Sequence, residues 1–595
     1  MNAAALMRRG AESFGRGDYG VALDCFGQVL QGNPHDAYAL SNRAAVLSQL
    51  GCFDEALQDL GQVPAGAPCY LDAQCNRAYV LHRLRRATEA LACADGVLAV
   101  RPGDFAALSN RAYILLDLGR REAAAQCLAQ AVVQRPGHAE SLFLLGRTLV
   151  ELEHSKEALP PLQRALALQP DHAGALNAHG FALIQLHQPE QALHSLDRLL
   201  QLQPGMVEAQ INRGVALLAL ERCAEALEVF DRVLTLAPRN VAAHENRGVS
   251  LERLNRRVEA LAALNAALEL DPQCASSRHN RSVIHLALGR LEEGFLDMES
   301  RWEGSSLKAQ RPSFAAPLWL GDAPLEGRRI LLHSEQGFGD SLQFVRYAPM
   351  VAALGAEVIL FAPLHLRRLF SSLKGSIALP VDGEPLPPFD FHCPLMSLPL
   401  AFRTRLESIP APVPYLGADA TLAERWNRAL GPRDRPRIGL LWAGRQYPPI
   451  NTKRDMPLHS LLALLELPVH WICLQKEVPA ADLPLLQSLP VLQRHGEMLG
   501  DFADTAALIE NLDLVIAVDS AVAHLAGALG KPVWIMNRHA ACWRWLERRS
   551  DSPWYPSARL FRQPALGQWD AVAAEVAQAL RGFIATQAAR ESVAA

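Results

Sequence analysis

Eight prolines recur at an unbroken spacing of 34 residues: Pro34, Pro68, Pro102, Pro136, Pro170, Pro204, Pro238 and Pro272. Proline has no N–H to give to a helix interior, so a proline held at one phase marks where each unit's helix stops. Other positions keep the same beat. Twelve residues before each proline stand Ala22, Ala56, Ala90, Ala124, Ala158, Ala192, Ala226 and Ala260. Twenty-four before each stand Gly10, Ala44, Ala78, Ala112, Gly146, Gly180, Gly214 and Gly248. Small side chains at a fixed phase let helix backbones cross closely. A unit of 34 residues cannot bury its apolar face alone, so such units must stack into a solenoid. A ninth unit follows with Ser282, Gly289 and Gly294 in register, then loses its proline.

This pattern resembles the tetratricopeptide (TPR) repeat, a helix–turn–helix unit, over residues 3–308. The resemblance implies about nine repeats in a right-handed superhelix, with the first helix of each unit lining a concave wall. At the sixth position of those helices stand Asn42, Asn76, Asn110, Asn212, Asn246 and Asn280, with Arg8, Leu144 and Ala178 as the exceptions. A ladder of amides offers donors and acceptors to the backbone of an extended peptide. The alternative is that each Asn bonds its neighbouring repeat and only fixes the stacking. The layout is similar to that of the O-linked N-acetylglucosamine transferases, where such a ladder holds the protein substrate.

At 595 residues the chain should hold more than one domain. Its formal charge of −4 gives no reason to expect nucleic acid or an anionic membrane as partner. The opening residues lack a signal peptide's apolar core, and no stretch of 18 apolar residues suggests a membrane span. Eleven cysteines without any C-x-x-C pair read as reduced thiols of a cytoplasmic protein, with no metal site.

Past residue 308 the pattern changes. Residues 309–327, with Pro312, Pro317 and Pro324, read as a connector. Then Arg329–His333, a glycine loop, a helix from Asp340 and the strand Glu357–Pro363 open a Rossmann-like sheet. The unit restarts at Arg437–Trp442 and continues through His470–Leu474 and Leu514–Val518, with a proline-rich linker, Pro380 to Pro414, between the halves. The expected fold class is an all-α TPR solenoid followed by an α/β GT-B fold of two Rossmann-like domains, residues 328–416 and 417–590. A helix from Trp569 to about Ile584 would close it. Ligands in such sheets collect at the carboxyl ends of the strands.

Gly337-Phe338-Gly339 supplies only half of G-x-G-x-x-G, because Leu342 stands where the third glycine belongs. That is a poor dinucleotide fingerprint. Another reading is that the glycines turn the backbone tightly and bring Asp340 to the helix start as a general base. Alternatively, Asp340 only caps its helix.

Glu335-Gln336-Gly337-Phe338-Gly339-Asp340 is similar to the G-x-x-x-G-D loop of the ADP-heptose:lipopolysaccharide heptosyltransferase family. The resemblance implies that Asp340 is the catalytic base, with Glu335 in reserve. Asp519-Ser520-Ala521-Val522-Ala523-His524 resembles that family's D-[ST]-G-x-x-H motif, which holds the donor diphosphate; here Ala521 replaces the glycine. A helix starting near Ser520 would offer N–H groups to phosphate, and His524 could donate a further hydrogen bond, more strongly if protonated. A lone histidine on a helix is otherwise a packed or solvated residue. Lys453, in the loop after the strand Arg437–Trp442, could face the donor phosphates or sit in a solvated loop. Glu477, after His470–Leu474, stands where similar heptosyltransferases place an acid against the ribose. Cys542-Trp543-Arg544-Trp545 and Trp554-Tyr555 read as a sugar platform with Arg544 on a phosphate, or else as domain core.

The expected donor set is therefore Asp519, Ser520, His524, Lys453, Glu477, Gly337 and Gly339. No D-x-D occurs to carry a divalent cation. The expected function is an inverting, metal-independent glycosyltransferase with no resident cofactor, taking a nucleotide-sugar as substrate and possessing a peptide partner on its repeats. The alternative is a non-catalytic TPR scaffold with a relic or sensory site.

Overall fold

The computed structural model describes residues 2–305, 307–380, 383, 385–444 and 454–594, the side chains as far as 589. The chain divides into two compact units, residues 1–238 and 239–595.

The first unit is a run of antiparallel helix pairs, from Ala3–Arg16 with Tyr19–Gly32 to Val207–Ala219 with Cys223–Leu236. Its periodic prolines lie in the turns between pairs: one helix ends at Gly32 ahead of Pro34, another at Leu236 ahead of Pro238. Its periodic alanines, Ala22 through Ala226, are fully buried. The small residues paired with them are needed for room. A Cβ on Gly214 would sit 2.4 Å from the ring of Phe230, and one on Gly146 would sit 2.4 Å from Leu162. Ser155–Leu168 departs from the pattern by carrying Pro160 and Pro161 inside the helix.

The second unit opens with two more helix pairs, Val241–Arg253 with Arg257–Leu270 and Ala275–Ala287 with Leu291–Met298, then a short helix Arg301–Gly304. Two parallel sheets follow. The first comprises β1 (Arg329–His333), β2 (Glu357–Phe361), β3 (Ile377–Ala378) and β4 (Phe391–Pro394), in the order β3-β2-β1-β4. The second comprises β5 (Arg437–Leu441), β6 (His470–Cys473), β7 (Leu492–Arg494), β8 (Leu514–Val518), β9 (Val533–Asn537) and β10 (Ala558–Arg562), in the order β10-β9-β8-β5-β6-β7. Every residue of β5, β8 and β9 is buried, as strands covered on both faces must be. Helical TPR repeats followed by two parallel α/β sheets of GT-B type are thus what the chain folds into.

The sequence reading misplaced two segments. Pro380–Pro414 is not merely a linker, because β4 lies within it and pairs with β1, Leu331 opposite His392. Four residues ending in proline are too short to show a strand period, and Pro394 sits at the strand's end where a missing N–H matters least. The connector also contributes: Trp319 is buried and its N–H donates to His392 O at 2.9 Å. Among the described residues no helix is long and apolar enough to cross a membrane.

Candidate active site

Two strand ends face each other. After β1 the loop 334–337 leads into α1 (Phe338–Phe344), and after β8 Asp519 and Ser520 lead into α2 (Ala521–Ala528). Gly337 is the N-cap of α1, so Asp340 stands third in the helix and not at its start; its Oδ2 accepts the Gly337 N–H at 3.0 Å. Ser520 caps α2, accepting the Ala523 N–H at 3.4 Å. The glycines do not make a left-handed turn, for neither has a positive φ. Gly339 is needed for close approach instead, since a Cβ there would lie 2.9 Å from Cδ2 of His524. The two strand-end motifs therefore meet at Gly339 and His524.

His524 is 4% exposed; its Nδ1 pairs with the Tyr555 hydroxyl at 2.9 Å and its ring stacks on Trp545 at 5.1 Å. Burial first, then the positive charges of Arg544, Arg346 and Arg454, push its pKa well below the usual histidine value. Burial thus favours the neutral imidazole, which brings one N–H to the site without a charge.

The positive charge comes from arginines. Arg544 pairs through Nη2 with Asp340 Oδ1, and its Nε donates to Gln343 Oε1 at 2.9 Å. Arg346 is buried with no carboxylate bonded to it among the described residues, donating to Trp554 O at 2.8 Å, Pro410 O at 3.1 Å and the Tyr415 hydroxyl at 3.0 Å. Arg454 packs against the backbone at the end of β5, where a Cβ on Gly444 would lie 2.6 Å from its guanidinium. Sequence reasoning passed over Arg346, which has no local signal, and preferred Lys453 to its neighbour Arg454. Three guanidiniums near enough to act on one imidazole's charge, with Asp340 and Asp519 as carboxylates acting on Arg544, favour an anionic ligand.

The remaining candidates scatter. Lys453 lies outside the described residues. Glu477 is exposed after β6, and its backbone carbonyl accepts from the buried Gln475 amide at 2.8 Å. No hydrogen bond or ion pair joins its side chain to Asp519, Ser520 or His524 among the described residues. Glu335 is bonded to Arg301 through both oxygens, at 3.1 and 2.9 Å, and burial pushes its pKa up to about 7. Trp543, Trp545, Trp554 and Tyr555 are buried in the core, so they form no exposed platform. In the repeats, Asn110 donates to Cys75 O at 2.9 Å, Asn212 to Asn177 at 2.9 Å and Asn280 to Glu245 at 3.3 Å. Asn246 donates to Ala242 O of its own helix at 2.9 Å. Asn42 and Asn76 are half-buried at the same helical position.

The buried imidazoles predict a pH dependence. His333 is pushed down to about 3 and His524 well below 6.5, both chiefly by burial. Each gains a proton on unfolding below about pH 6.5, so its share of stability is present above that pH and lost as pH falls, at about 1.4 kcal/mol per pH unit. Glu335, raised to about 7, acts oppositely: its share is full below the ordinary carboxylate range and lost as pH rises through 7. Two groups outweigh one. Melting of the second unit should come at a lower temperature at pH 5.5 than at pH 7, and His333→Asn should narrow the gap.

Residues 8–68, 75–139, 177–241, 213–275 and 245–304 match the tetratricopeptide repeat family, and residues 495–535, spanning β8 and α2, match glycosyltransferase family 9 (heptosyltransferase). The chain joins tetratricopeptide repeats to a second half that matches glycosyltransferase family 9 over residues 495–535. Protein FlbA of Caulobacter vibrioides is similar to this chain, 30% identical over 332 residues that cover 51% of this chain and 54% of FlbA. The chain thus spans about half the length of that curated relative. Among solved structures, a tetratricopeptide repeat protein from Parabacteroides merdae is 14% identical, covering 47% of this chain and 98% of its own, with a TM-score of 0.30. MamA from Desulfovibrio magneticus RS-1 is 22% identical, covering 28% and 93%, with a TM-score of 0.26. At these TM-scores neither adds to the description of the fold. The family 9 match covers the phosphate-binding candidates Asp519, Ser520 and His524 but not the loop that carries Asp340.

Proposed function

We propose that this glycosyltransferase family 9 domain moves a sugar from a nucleotide-sugar donor to an acceptor, with inversion and without a metal ion. One observation supports this above the rest: Gly339 of the loop after β1 meets His524 of α2, and Arg544 pairs there with Asp340 from the other sheet, with Arg346 and Arg454 near enough to act on the imidazole's charge. The helix N–H groups and the guanidiniums supply the positive charge that a divalent cation supplies elsewhere. The donor diphosphate would lie on Ser520 and the first turn of α2, with Asp519, His524 and Lys453 at its phosphates and Glu477 toward the ribose. Gly337 and Gly339 keep the opposing loop close. Asp340 would take the acceptor's proton.

Incubation with a panel of nucleotide sugars tests the reading by release of nucleoside diphosphate. His524→Ala should weaken binding of the active donor about tenfold, the loss of one polar contact in a closed site. Unchanged affinity would return His524 to a packing role. If no donor in the panel turns over, the alternative of a scaffold with a relic or sensory site takes its place.

We further propose that the repeats hold a protein or peptide acceptor along the asparagine positions Asn42, Asn76, Asn110, Asn212, Asn246 and Asn280. Asn246→Ala with Asn280→Ala should lower transfer to a protein acceptor by about tenfold and leave donor hydrolysis unchanged. Equal loss of both, with a lower melting temperature, would mean that these amides serve stacking alone.

A further inference from the structure

Arg544 occupies an unusual position between the two sheets. It sits in the segment after β9, yet its Nη2 bonds Asp340 on α1, and Asp519 at the end of β8 lies near enough to act on its charge. The guanidinium is held from behind. Trp543 covers one face at 4.3 Å, Nε is fixed on Gln343 Oε1 at 2.9 Å and Nη1 lies 3.2 Å from Cys542 Sγ. Of its five N–H donors, two have no acceptor among the described residues, although the side chain is only 11% exposed. Buried guanidinium donors without acceptors call for an anion.

We propose that Arg544 serves two partners in turn, the Asp340 carboxylate and the donor's diphosphate, and so ties release of the base to donor binding. This rests on the donor-site reading above. A diphosphate on α2 competes with Asp340 for the same guanidinium, because its charge is larger and it reaches the two open donors. As Arg544 turns to the phosphate, the Asp340 carboxylate is freed to accept a proton. In the transfer itself the acceptor oxygen bonds to the anomeric carbon and its proton passes to Asp340. The bond from that carbon to the diphosphate oxygen breaks, and its electron pair leaves with the diphosphate, where Arg544 meets the new charge. Arg544 would thus bind the leaving group and also gate the base. An acceptor hydroxyl arriving without donor would find Asp340 engaged.

The test is a double-mutant cycle on the full chain, read by calorimetric binding of uridine, guanosine, adenosine and thymidine diphosphates. Asp340→Asn leaves Arg544 without its anionic competitor, so the preferred diphosphate should bind about tenfold tighter than to wild type. Arg544→Gln should weaken it about tenfold or more, with Arg544→Lys in between. The decisive outcome is the combination: Asp340→Asn should bring no tightening in the Arg544→Gln background. Equal tightening in both backgrounds would mean that Asp340 repels the ligand directly, and the exchange falls. So would unchanged affinity on Asp340→Asn, which leaves Arg544 a clasp between the sheets while the donor site stands. If none of the four diphosphates binds wild type, the donor-site reading itself falls and takes this proposal with it.

Discussion

Asp340→Asn is expected to slow sugar transfer by about 10²–10⁴-fold, the usual cost of losing a general base. Asparagine keeps the size of the side chain. Its amide oxygen can still accept from the Gly337 N–H, which Asp340 Oδ2 does at 3.0 Å. What it cannot do is take a proton at neutral pH. The variant should therefore fold and bind donor while failing in the chemical step, so that kcat falls and donor affinity does not. Steady-state kinetics with the donor selected by the panel, alongside a thermal melt, separates these quantities. A wild-type rate would reduce Asp340 to a residue that bonds its own helix turn and Arg544.

The largest loss of stability is expected at Arg301. Its side chain is fully buried, and all five N–H donors are used. Nε and Nη2 reach the two oxygens of Glu335 at 3.1 and 2.9 Å, and Nη2 also reaches Ser397 Oγ at 2.8 Å. Nη1 reaches Glu299 at 2.8 Å and Met298 O at 3.1 Å. Arg301→Ala would strand the Glu335 carboxylate in a buried site, a change that typically costs about 3–5 kcal/mol. Chemical denaturation of the second unit should show it. Arg301→Met with Glu335→Gln should recover much of the loss, because the only carboxylate then left without its arginine is Glu299, which is partly exposed and keeps the Ser397 hydroxyl at 2.7 Å. If Arg301→Ala unfolds at the wild-type denaturant concentration, the network contributes nothing.

The repeats were legible because one physical demand recurs every 34 residues, and each recurrence repeats the message. The strand-end motif that the family match covers was legible for a local reason: Asp519, Ser520 and His524 lie within six residues, on one strand end and one helix turn. The arginines around it were not. Arg346 lies in a segment that reads as ordinary helix, and its partners Tyr415 and Trp554 are 69 and 208 residues away. The pair of Asp340 and Arg544 spans 204 residues. No window of sequence holds both ends of such contacts. Glu335 shows the reverse error: its place in the loop suggested a base, whereas Arg301, which lies before the connector, claims it. Strand β4 was hidden because four residues among prolines carry no period.

The last two helix pairs bear on how such proteins can recombine. Arg257, on the helix Arg257–Leu270, is buried and donates to Glu547 at 2.6 Å and to Ala541 O at 2.8 Å, both in the segment that follows β9. Arg301 does the same for the loop after β1. A genetic crossover placed where the repeat pattern ends, near residue 308, would graft foreign helices onto two sheets that rely on these two arginines. The hybrid would inherit orphaned carboxylates in place of a fitted seam. A lineage that exchanges its repeats has to carry residues 239–308 along with the two sheets, so those repeats should descend with the second unit.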